Sequence, residues 1–80
     1  MTEELRQRAN ALHKQIEDLT NEIQLVEDMH HSGNNLYLSC SDTGAITIAG
    51  DEQLKDDLLD IILSRLNAKK EEVEDEYRML

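Results

Sequence analysis

The stretch NLYLSCSDTGAITIA, Asn35–Ala49, decides the fold, because apolar and polar residues alternate in it with a period of two on either side of Ser41-Asp42-Thr43-Gly44. Two strand registers compete. Setting Cys40 opposite Ala45 puts Leu36 and Leu38 on one face with Thr47 and Ala49, and leaves Ile46 and Ile48 on the other. Setting Ser41 opposite Ala45, across the loop Asp42-Thr43-Gly44, gathers Leu36, Leu38, Cys40, Ile46 and Ile48 on one face and Tyr37, Ser39, Thr47 and Ala49 on the other. The second register separates apolar from polar, and it places Gly44 where a type I turn with a G1 bulge needs a positive φ. A β-hairpin over about 35–49 is the expectation, with Asp42 as a turn residue.

Asp42-Thr43-Gly44 also resembles the triplet on which aspartic proteases carry their catalytic carboxylate. The resemblance covers three or four residues. A small dimeric protease of the retroviral kind would nearly fit the length, but such a fold is almost entirely strands and needs a flap hairpin and a second apolar-apolar-Gly segment. This sequence, by contrast, reads as helix over about three quarters of its length.

Working outward, the residues before the hairpin carry a heptad seam: Leu5, Ala9, Leu12, Ile16, Leu19, Ile23 and Val26 follow at intervals of four and three. Thr2 is the expected N-cap, and Glu3 and Glu4 suit the positive end of the helix dipole. His30, His31 and Gly33 read as a C-terminal turn with a left-handed stop. This helix is expected at about 3–31. After Gly50 a second helix is expected at about 51–78, with Asp51 as N-cap and Leu54, Leu58, Ile62, Leu66, Val73, Tyr77 and Leu80 on one stripe, interrupted by Lys69 and Lys70. Leu59, Ile61 and Leu63 fall outside that stripe, so this helix is apolar almost all round near Asp51.

Helix, tight hairpin and helix of similar length imply arms folded back antiparallel in a single domain, 1–80. The fold class expected is mainly α: an antiparallel coiled-coil helical hairpin with a two-stranded β-hairpin inserted between the helices, dimerising. The two seams match in phase when Val26 faces Leu54, Ile23 faces Leu58, Leu19 faces Ile62, Ile16 faces Leu66, Ala9 faces Val73 and Leu5 faces Tyr77. Leu12 then meets Lys69 or Lys70, whose stems can cover it. Arg6 and Arg8 come beside Glu72, Asp75 and Glu76. The plan resembles that of a shortened prefoldin-type subunit, two coiled-coil arms joined by one hairpin, in architecture alone and without a shared motif.

Composition bounds the rest. A chain of 80 residues buries a small fraction of its surface and gains from oligomerisation. Its single cysteine, Cys40, excludes an internal disulfide, and no run of eighteen apolar residues exists to span a bilayer. MTEELRQRAN at the N-terminus does not read as a signal peptide, so a cytoplasmic protein is expected. With 18 acids against 8 bases, the formal net charge is -10. Such a surface repels nucleic-acid backbones and anionic membranes and attracts basic partners. The apolar residues left over, Leu25, Met29, Leu36, Leu38, Ile46, Ile48, Leu59, Ile61 and Leu63, lie toward the hairpin end and form the candidate dimer interface.

No constellation points to catalysis. His30, His31 and Cys40 lack paired metal-ligand spacing, so no metal is expected, and Cys40 is assigned to an apolar strand face as a buried thiol. Gly33, Gly44 and Gly50 are spaced as punctuation rather than as a phosphate loop, and no cofactor is expected. The acidic rows are the more informative feature. Glu52, Asp56 and Asp60 stand at i, i+4 and i+8, joined by Asp57, and Glu71, Glu72, Glu74, Asp75 and Glu76 form a second group. Carboxylates repeated along one helix face repel each other, which makes both groups candidate partner-binding faces. The function expected is a non-catalytic protein–protein interaction module, a small dimeric adaptor, regulator or assembly factor. The alternative is an acidic DNA mimic of phage or mobile-element type that blocks the basic cleft of a nucleic-acid-binding enzyme or regulator.

Overall fold

Four elements follow one another along residues 2–80, the part of the chain that the computed structural model describes: α1 (Glu3–His31), β1 (Leu36–Cys40), β2 (Gly44–Ile48) and α2 (Glu52–Arg78). Both helices begin at the expected caps. Thr2 Oγ1 accepts the Leu5 N–H at 3.2 Å, and Asp51 Oδ1 accepts the Leu54 N–H at 2.9 Å. Gly50, at φ 74°, supplies the left-handed step that leads into Asp51.

The end of α1 differs from expectation. Gly33 is not in the left-handed region; Ser32 leaves the helix in an extended conformation with its N–H donated to the Met29 carbonyl at 3.2 Å. The carbonyls that follow are satisfied from α2 instead. Lys55, 9% exposed, donates from Nζ to the carbonyls of Ser32 at 2.7 Å and Asn34 at 2.9 Å. A buried ammonium with two acceptors is a stable arrangement where an unpaired one would not be, and it removes the need for a glycine stop.

The strands pair antiparallel with Leu36 opposite Ile48, Leu38 opposite Ile46 and Cys40 opposite Gly44. This corrects the expected register by two residues: the loop is Ser41-Asp42-Thr43, closed by the Thr43 N–H on the Cys40 carbonyl at 3.4 Å. A two-residue shift leaves every side chain on its face, so Leu36, Leu38, Cys40, Ile46 and Ile48 still share one side. Gly44 takes φ 136° as the first residue of β2. Asp42 stays local, its Oδ1 accepting from the Thr43 hydroxyl at 3.1 Å.

The helices fold back on each other, but about one turn out of the expected register. Arg8 lies 3.4 Å from Glu76, the rings of His13 and Tyr77 are 6.3 Å apart, and His30 reaches Asp56 and Asp60. A register with Leu12 level with Val73 and Val26 level with Leu59 accommodates these contacts. Those four residues are the buried apolar core, at 6%, 2%, 7% and 0% exposure. Leu12 is therefore core and not a residue sheltered by lysine stems, whereas Leu54, expected opposite Val26, stays 42% exposed. The shift buries Leu59 in place of Leu54.

The result is a rod of 54 × 27 × 15 Å with a radius of gyration of 16.6 Å. A globular domain of this length has a radius near ~12 Å. Among the described residues, no helix is long and apolar enough to cross a membrane.

Candidate functional site: an acidic side and an apolar side

His30 organises one side of the helical pair. It continues the α1 seam four residues beyond Val26, and with its side chain 22% exposed it sits between two carboxylates of α2. Its Nδ1 is 3.7 Å from Asp56, and its buried Nε2 is 3.2 Å from Asp60 Oδ1 without the alignment of a hydrogen bond. Glu27, His31 and Leu63 complete an open hollow around these three residues. The expected acidic row is thus real in position but not bare: Asp56 and Asp60 share His30, which the sequence placed in a helix-end turn and did not link to either carboxylate. Glu52 and Asp57 are exposed, and Asp57 accepts a 2.8 Å hydrogen bond from Gln53.

The second acidic group is more fully countered. Glu76 faces Arg8 at 3.4 Å, Asp75 faces Arg78 at 2.9 Å and Glu72 faces Lys69 at 3.9 Å, while Glu71 is exposed. Arg8 does what the sequence suggested. Arg6 does not, pairing instead with Glu3 within its own first turns.

Of the candidate dimer residues, Leu59 must be withdrawn: at 0% exposure it belongs to the chain's own core. Leu36, Ile48 and Leu63 are half-buried. Leu25, Met29, Leu38, Ile46 and Ile61 are 41–63% exposed, unusually open for large apolar side chains. Cys40 is exposed too, against the buried thiol expected: it stands at the turn end of the hairpin, whose strands pack mainly on each other and are half-buried only at the Leu36 and Ile48 end. Leu38, Cys40 and Ile46 line a shallow apolar hollow there.

Among the described residues, no three His, Cys, Asp or Glu side chains are grouped to hold a metal ion. His30 turns toward Asp56 and Asp60, while Cys40 stands at the turn end of β1, so the His–Cys grouping weighed from sequence does not assemble. Compared with protein-family models, curated proteins and solved structures, the chain has no significant match, and the likeness to a prefoldin-type subunit is one of element order only.

Proposed function

We propose that this chain is a non-catalytic protein–protein interaction module that works as a small dimer and docks a protein partner, as an adaptor, regulator or assembly factor. The observation that supports it is surplus surface. A folded monomer of 9.2 kDa exposes about 4,900 Å² by the size scaling of globular proteins, and this chain exposes 6339 Å². The difference exceeds the roughly 800 Å² that each partner buries in a standard interface, and Leu25, Met29, Leu38, Ile46 and Ile61 are among the exposed side chains. Leaving one such side chain in water forgoes ~1.5–3 kcal/mol, so association is the natural way to recover it.

The DNA-mimic reading keeps a specific support of its own: Glu52, Asp56, Asp57 and Asp60 form an exposed carboxylate row on α2, and the chain carries a formal charge of -10. Salt separates the two. Raising ionic strength from 0.1 to 1 M shortens the Debye length from about 10 to about 3 Å. Partner capture by the immobilised protein should survive that change, and survive the triple exchange Asp56→Lys, Asp57→Lys, Asp60→Lys, if docking is apolar. A partner that is a nucleic-acid-binding protein, released by salt and lost in the triple variant, would instead establish the mimic.

A further inference from the structure

We propose that a second copy of the chain seats on the side of the helical pair that carries Leu25 and Met29 of α1 and Leu54, Leu58, Ile61 and Ile62 of α2, giving a two-fold four-helix assembly with both His30–Asp56–Asp60 groups turned outward. This rests on the reading that the chain works by association, and it assigns the self-contact to the helices rather than to the hairpin.

Successive helical residues turn about 100°. Val26 and Leu59 mark the seam, and His30 with Asp56 and Asp60 marks one side of it. Stepping from His30 across the seam, Met29 and Leu25 lie about 100° and 140° round α1, and Leu54, Leu58, Ile61 and Ile62 are each turned at least about 100° from both aspartates on α2. The six therefore gather on the side away from the histidine. Leu25 and Ile61 are each 57% exposed, Leu54 42%, Met29 41% and Ile62 38%, and Leu58 is half-buried.

Two arguments select another copy of this chain as the occupant. The first is area: the surface in excess of a monomer of this mass is more than one side of a stable dimer requires. Six large side chains on two packed helices offer a broader and more rigid platform than Leu38 and Ile46 on a projecting two-stranded ribbon, which is marginal in water by itself. The second is charge. Two chains of charge -10 repel wherever carboxylates face each other, so copies can meet only where both signs are at hand. The same side continues toward the far end of the rod with Glu22 on α1 and Arg65 on α2, both exposed, beside the in-chain pairs Lys14–Asp18 and Lys69–Glu72. In an isologous contact, one copy's acids can reach the other's bases.

Sedimentation equilibrium of the full chain tests this. The wild type should run at twice 9.2 kDa from low micromolar concentration upward. The pair Leu25→Asp, Ile61→Asp should weaken self-association by at least about 100-fold, because both carboxylates enter a desolvated face. Helicity by circular dichroism should be retained, since both sites are exposed within one chain. The pair Leu38→Asp, Ile46→Asp should remain dimeric. If the aspartate pair loses helicity, Leu25→Ser with Ile61→Ser replaces it and should shift the mass in the same direction. A wild type monomeric at all concentrations, or folded Leu25/Ile61 variants that still dimerise, overturns the proposal. A monomer that nevertheless holds a defined partner at high salt overturns it while leaving the interaction-module reading in place.

Discussion

Lys55 shows how one side chain can direct the path of the backbone. Its ammonium takes the carbonyls of Ser32 and Asn34 just where the chain leaves α1, tying the start of α2 to the entry of the hairpin. Hydrogen bonds to charged groups contribute about 1.5–3 kcal/mol, and carbonyls stripped of a partner lose more than the bond itself. Lys55→Met should therefore destabilise the chain by roughly 2–3 kcal/mol, seen as a lower urea midpoint with an unchanged slope; a midpoint equal to wild type would show that the contact is incidental. Asp42 gives the opposite case. Its one side-chain hydrogen bond among the described residues is with its neighbour Thr43, so Asp42→Asn should stay within about 0.5 kcal/mol of wild type in the same experiment. Gly44→Ala should cost about 1 kcal/mol or more, because φ 136° suits no side chain.

At the scale of the elements, boundaries were readable from sequence and registers were not. Caps are local chemistry: Thr2 and Asp51 announce the helix starts because a short side-chain oxygen three residues ahead of an N–H is the signal itself. Register is a relation between two distant patterns. The hairpin's alternation repeats every two residues and cannot distinguish the expected pairing from the observed one, which differs by two. The helical seams repeat every three or four residues, so a slide of about one turn leaves Leu12 and Val73 on the seam, while at the hairpin end Leu59, from outside the expected stripe, is buried in place of Leu54. The role of Lys55 was not legible, because periodicity carries no information about loop carbonyls. His30 was detectable, since it extends the intervals from Ile23 and Val26 by another four, but its type drew it into the reading of a helix-end turn. The observed register has a measurable consequence. Leu59→Ala, at a site with no exposure, should cost about 2–5 kcal/mol. Leu54→Ala, at 42% exposure, should cost less than about 1 kcal/mol. Thermal or urea unfolding of the two variants distinguishes the registers, the reverse order favouring the one in which Val26 faces Leu54.

The whole molecule is a narrow rod with the His30–Asp56–Asp60 group on one side, exposed apolar side chains on the other and a ribbon at one end. Its core is four side chains deep in total among the described residues, too few to suggest a self-sufficient monomer. The charge distribution adds a second property. Exchanging Asp56, Asp57 and Asp60 for lysine brings the formal charge from -10 to -4 and leaves the apolar side intact, so the triple variant should self-associate at least as tightly as wild type in sedimentation experiments. All of this depends on the two helices lying side by side within one chain. Small-angle X-ray scattering measures that directly through the longest dimension of the particle. A folded-back chain 54 Å long, joined to a second copy along its side, gives a maximum dimension that stays near the single-chain length after a small allowance for hydration. Helices opened end to end would span roughly 84 Å at ~1.5 Å per residue before the hairpin is added, and a longest dimension in that range or beyond would contradict the account.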